Sequence, residues 1–124
     1  MKKTVLAIDD SRTIRELLSS KLKDAGFECL TAVDGRDGVS KFCDSRPDVV
    51  ITDINMPNLD GFGVIEELRS DQIRSTAPIL VLTTESSDEM KARAREAGAT
   101  GWIVKPFDDV SLISALRRVT GQHV

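Results

Sequence analysis

At 124 residues, 40% hydrophobic and 30% charged, the chain has the size and make-up of one globular domain that folds without disulfide or metal staples. Its net charge of −3 argues against a general nucleic-acid or membrane-surface binder. No apolar run approaches the ~20 residues of a transmembrane helix.

The run Val5 to Ile8 that follows Lys2 and Lys3 is too short for a signal peptide. Cys29 and Cys43 form no CxxC pair, and with His123 as the single histidine no zinc set can be assembled. The cysteines are expected to be small buried or half-buried apolar residues in a reducing cytosol, and His123 a solvated tail residue.

Val5-Leu6-Ala7-Ile8 is continuously apolar and stops at Asp9, the pattern of a strand buried on both faces. From Ser11, a candidate N-cap, the period becomes helical: Ile14, Leu17, Leu18, Leu22 and Ala25 share a face, and Gly26 closes the helix. Phe27 to Val33 predicts a weaker strand nearer an edge. Asp34-Gly35 is a turn, and Val39, Phe42 and Cys43 space a second helix that ends before Pro47. Val49-Val50-Ile51-Thr52 predicts the third strand, stopping at Asp53. After a loop with Pro57, the Asp60-Gly61 pair starts a helix carrying Phe62, Ile65 and Leu68. Pro78 introduces the strand Ile79 to Leu82, ending at Thr83. Ser86 or Ser87 caps a polar fourth helix with an alanine stripe that ends at Gly98 and has an acidic, solvated face. Gly101 to Val104 is the fifth strand, stopping at Lys105-Pro106. Asp108 or Asp109 starts the last helix, with Leu112, Ile113, Leu116 and Val119 inward.

Five β-α units with strands this apolar predict a doubly wound α/β domain, its parallel sheet covered on both sides by right-handed crossovers. One domain over residues 1–124 is expected, with no room for an output domain. In such a sheet, ligands bind beyond the carboxyl ends of the strands. Those ends carry Asp9 and Asp10, Asp53, Thr83 and Lys105. Three carboxylates brought together repel one another unless a cation lies between them. Lys105 could balance one of them, and the cation that suits the oxygen donors is Mg²⁺, or Mn²⁺. Metal, ammonium and hydroxyl together would suit an incoming phosphoryl dianion.

The series IDDS, TDINMPNLDG, VLTTES and GWIVKPF, in that order over the whole chain, resembles the receiver domains of two-component response regulators, most closely the stand-alone chemotaxis type. The resemblance implies a flavodoxin-like (βα)5 fold with strand order 2-1-3-4-5. It implies that Asp53 accepts a phosphoryl group from a histidine kinase of chemotaxis type. Asp10 would bind Mg²⁺ directly, Asp9 through water, Asp53 through its carboxylate and Asn55 through its backbone carbonyl. Thr83 and Lys105 would contact the phosphoryl group, and Pro106 would follow a cis bond that turns Lys105 toward the site. Asn55 and Glu85 would tune hydrolysis. The output face would be helix four, strand five and helix five, meeting a flagellar motor switch protein or another target. A cytoplasmic monomer is implied, with no nucleic-acid partner and no turnover beyond its own phosphorylation and dephosphorylation.

Two residues depart from the family pattern. Trp102 stands where tyrosine or phenylalanine is usual, which puts inward rotation of that aromatic in doubt, and Thr84 stands where a very small residue opens access. These keep open a degenerate receiver that is never phosphorylated, and nothing in the sequence separates motor control from a phosphate sink or a relay intermediate. A haloacid dehalogenase-like phosphatase needs its nucleophile on strand one with an acid two residues on, but Ser11 follows Asp9 at that spacing and Arg12 follows Asp10. A flavodoxin-like FMN binder would not place Asp9-Asp10 where a phosphate loop belongs.

Overall fold

The computed structural model describes residues 2–121, so the expectation for His123 lies outside the described residues. Five strands alternate with five helices: β1 Thr4–Ile8, α1 Arg12–Asp24, β2 Glu28–Ala32, α2 Gly35–Ser45, β3 Val49–Thr52, α3 Gly61–Arg69, β4 Ile79–Thr83, α4 Asp88–Ala97, β5 Gly101–Val104 and α5 Asp109–Thr120. All pairings are parallel, in the order β2-β1-β3-β4-β5. This is the expected flavodoxin-like fold. No helix among the described residues is long and apolar enough to cross a membrane.

Alternation along each strand sends successive side chains to opposite faces. Leu6, Ile8, Val50, Ile79 and Val81 pack with Phe42, Phe62, Ile65, Leu68 and Ala94, placing α2, α3 and α4 on one face. Val5, Ala7, Val49, Ile51, Leu80 and Leu82 pack with Leu18, Leu22, Leu112 and Leu116, placing α1 and α5 on the other. The central strands β3 and β4 are buried throughout, whereas the edge strands β2 and β5 are only partly covered.

Ser11 caps α1 by accepting from the Ile14 N–H, and Asp60 caps α3 through the Gly63 N–H. Of the paired alternatives, Ser87 caps α4 and Asp108 caps α5. Two inward assignments are corrected. Leu17 lies at the border of the α1 stripe and is 40% exposed. Cys43 is exposed, because Phe42 takes the inward place on α2, while Cys29 is half-buried as expected.

Candidate functional site

The sheet register assembles the site. Ile8 pairs with Thr52, so the next residues, Asp9 and Asp53, leave neighbouring strands side by side. Backbone bonds continue past the strand ends: Asp9 N to Ala32 O, Asp53 N to Ile8 O, and Lys105 N to Thr83 O at 2.7 Å. These fix the main chain at Asp9, Asp53 and Lys105 before any side chain contact is counted.

Lys105 Nζ donates to Asp9 Oδ2 at 2.7 Å and to Asp53 Oδ2 at 2.9 Å. The ammonium therefore touches two carboxylates, while its single charge balances one of them, as expected. All three side chains are largely enclosed, at 11%, 3% and 12% exposure for Lys105, Asp9 and Asp53. Burial alone would pull the Lys105 pKa down; the hydrogen bonds and charges of Asp9 and Asp53 outweigh it and hold the pKa above its ordinary value. Asp9 Oδ1 accepts the Ser11 N–H at 2.9 Å, so both its oxygens are engaged by the protein. Asp53 Oδ1 accepts the Ile54 N–H at 2.6 Å. Asp10 is exposed, and no group among the described residues is bonded to its carboxylate.

One oxygen from each of Asp9, Asp10 and Asp53 lies within 4.8 Å of the others. A set of hard carboxylate oxygens, one of them free and facing solvent, fits Mg²⁺, which keeps several waters and asks for few protein ligands. Asp10 and Asp53 would hold such an ion, with Asp9 behind them on Lys105.

Thr83 is fully buried at the end of β4, and its Oγ1 accepts the Glu85 N–H at 3.4 Å. Thr84 is exposed. Asn55 Nδ2 donates to Glu85 Oε1 at 3.1 Å, so these two side chains meet across the site mouth. Trp102 is half-buried against the α2–α4 face, and its indole N–H donates to Glu85 O at 3.0 Å. That bond ties the aromatic on β5 to the loop before α4. The Lys105-Pro106 peptide is cis.

Two contributions escaped the sequence reading. Arg15 Nη1 donates to Asp9 O at 2.8 Å, steadying the Asp9 backbone from the first turn of α1. Gly61 lets α3 approach the site, since a Cβ there would collide with the Asp53 carbonyl oxygen. The glycine was legible only as a helix start, and nothing in local sequence marks Arg15.

Residues 5–117 match the response regulator receiver domain family. In structure, the chain is similar to the chemotaxis protein CheY4 of Vibrio cholerae, with a TM-score of 0.90, 45% identity, and 96% of this chain and 99% of that one covered. In sequence, it is 33% identical over 113 residues to protein PilG of Pseudomonas aeruginosa, covering 91% of this chain and 84% of that one. It is 40% identical over 118 residues to the probable transcriptional regulator ycf27 of Guillardia theta, covering 95% of this chain and 45% of that one. The chain thus spans about half the length of the ycf27 regulators it matches. With its sheet order, its cluster of aspartates and a match over nearly its whole length, this chain belongs to the response regulator receiver domain family.

Proposed function

We propose that this chain is a phosphoryl-accepting switch in which Asp53 takes the phosphoryl group from a phosphohistidine of a histidine kinase. Receiver domains accept phosphoryl groups from such kinases. The observation that carries the assignment is the setting of Asp53: one oxygen on the Ile54 N–H, the other on Lys105, and two further aspartates within 4.8 Å. An oxygen of Asp53 forms the bond to phosphorus as the P–N bond of the donor breaks, and the electron pair leaves with the imidazole. Bound Mg²⁺ would neutralise charge on the phosphoryl oxygens.

Lys105 is already placed for the product. As Asp53 becomes an acyl phosphate, its Oδ2 loses most of its charge, and the ammonium transfers its second contact to a phosphoryl oxygen while Asp9 retains the first. The Thr83 hydroxyl, bonded only weakly to the Glu85 N–H, turns to donate to another oxygen. That turn disturbs the loop residue to which Trp102 is tied, which carries the signal to the face formed by α4, β5 and α5. Asn55 and Glu85, joined across the mouth, control the water that later hydrolyses the acyl phosphate.

Such a switch would act as a cytoplasmic monomer and catalyse only its own phosphorylation and dephosphorylation. The similarity to the chemotaxis protein CheY4 supports a role in chemotaxis, with a kinase of chemotaxis type as donor and a flagellar motor switch protein or another protein as target. The ycf27 similarity favours a second reading, a receiver that serves gene regulation.

The test is a titration with Mg²⁺, then beryllium fluoride or acetyl phosphate, following fluorescence of Trp102, the only tryptophan. A Mg²⁺-dependent change that is lost in Asp53→Asn is expected. No response to Mg²⁺ would overturn the metal assignment. A Mg²⁺ response without a phosphoryl response would leave a receiver that does not switch.

A further inference from the structure

The loop from β3 to α3 carries Asp53 at one end and Asn55 in its middle, and one residue in it is held in an unusual backbone conformation. Asn58 has φ 70°, and the Leu59 N–H bonds back to Pro57 O at 2.8 Å, closing a γ-turn around it. A non-glycine residue there costs free energy unless its surroundings compensate. The compensation comes from another loop: Asn58 Nδ2 donates to Asp34 Oδ2 at 2.7 Å. Asp34 itself is fixed, because its Oδ1 caps α2 by accepting the Asp37 N–H at 2.8 Å.

A second observation points the same way. Gly35, the first residue of α2, sits so close to Leu59 that a Cβ would overlap the Leu59 carbonyl oxygen. The start of α2 is therefore pressed against the same loop that Asp34 bonds. At its other end the loop closes through Gly61 N to Ile54 O at 2.8 Å. Residues 54–61 form a short closed arch with its outer corner braced by α2. Neither Asp34 nor Asn58 belongs to the aspartate cluster.

We infer that Asn58, held by Asp34, is a positioning residue for the Asp53 site: it sets the arch so that the backbone at Asn55 and the carboxylate of Asp53 stand where metal and phosphoryl group need them. The inference rests on the phosphoryl-acceptor reading above. The γ-turn shortens the arch, and without the Asp34 bond the loop's outer corner is no longer held against α2, so the peptides that precede it are free to turn.

Reversing the bond tests this. Asn58→Asp places two carboxylates face to face and breaks the contact. Adding Asp34→Asn restores it with donor and acceptor exchanged, since the new side-chain amide at position 34 still caps α2 through its carbonyl oxygen while its NH₂ group donates to residue 58. The double variant has the wild-type net charge, so recovery in it reports geometry. Asn58→Gly, which tolerates φ 70° but cannot bond Asp34, removes the contact without adding charge. Three quantities are read on each: Mg²⁺ affinity, the rate of Asp53 phosphorylation by acetyl phosphate from intact mass, and the thermal midpoint.

The expected result is roughly tenfold slower phosphorylation in Asn58→Asp and Asn58→Gly, the scale seen when supports behind a metal site are lost, and recovery to within about twofold in the exchanged pair. Weaker Mg²⁺ binding in Asn58→Gly is expected alongside. If both single variants phosphorylate and bind Mg²⁺ like wild type, or if only the thermal midpoint recovers in the pair, the bond is merely structural and the inference fails. Wild-type protein that binds Mg²⁺ but takes no phosphoryl group would refute the acceptor reading, and the affinities of the variants would still decide the positioning role.

Discussion

Replacing Lys105 by methionine would leave Asp9 and Asp53 facing each other without the cation that separates them. Each N–O contact, at 2.7 and 2.9 Å, is a gross attraction of about 6 kcal/mol at an effective dielectric of about 20. The enclosed ammonium has forfeited much hydration, which cancels a large share of that sum. What the variant loses is set by the carboxylates left behind, and breaking such a pair by deleting one partner costs about 3–5 kcal/mol. About 3 kcal/mol, the lower end of that range, is expected at pH 7 because Asp10 leaves the mouth of the site open to water. Urea unfolding with a chelator present, wild type against Lys105→Met, measures it as a lower midpoint at unchanged slope. Mg²⁺ should then recover more stability in the variant than in wild type, because the ion supplies the cation the site lacks; at a hundred times its dissociation constant it adds about 2.7 kcal/mol. A variant as stable as wild type in chelator, or equal Mg²⁺ stabilisation of both proteins, would refute the view that Lys105 is what neutralises the empty site.

The same group predicts a pH dependence. Because the folded pKa of Lys105 is raised, its contribution is fully present below the ordinary lysine value of 10.5 and is lost only as pH climbs through the higher folded value. The midpoint difference between wild type and Lys105→Met should stay constant from pH 7 to about 10; shrinkage already between pH 7 and 9 would contradict the sign. Gly61→Ala should cost about 2 kcal/mol or more and slow phosphorylation, since the new Cβ overlaps the Asp53 carbonyl oxygen and stands 2.8 Å from Ile54 Cα; wild-type stability and rate together would count against this close approach. Arg69 donates from Nε and Nη2 to Gly98 O, and from Nη1 to Ser75 O and Ala77 O, clamping the end of α4 to the end of α3. Arg69→Met should therefore lose about 3 kcal/mol and speed hydrogen exchange at the last turn of α4, with exchange elsewhere following only the global loss.

Much of this protein is written locally. The unbroken apolar runs at Val5–Ile8, Val49–Thr52 and Ile79–Leu82 announce strands buried on both faces, because only a sheet covered on two sides hides every side chain of a strand. A charged or hydroxyl residue ending each run marks the edge where chemistry can gather, and Asp9, Asp10, Asp53, Thr83 and Lys105 were legible for that reason. The helix caps were legible too, since an Asp or Ser side chain satisfies its own helix start within three residues.

What tertiary structure decided is everything that depends on distance between segments far apart in the chain. Lys105 touches both Asp9 and Asp53 because β1 and β3 run side by side and extend in register past their strand ends; no local pattern counts how many carboxylates face one ammonium. Cys43 proved exposed and Leu17 partly so, since a helical stripe gives a face but not where its border meets the sheet. Arg15 on the Asp9 carbonyl, Trp102 on Glu85 and Asn58 on Asp34 join elements whose proximity follows from the winding of the sheet. The sequence names the groups that do the chemistry, because their types are required by what they bind; only the folded chain decides which of them touch, because contact depends on register and packing summed over the whole domain.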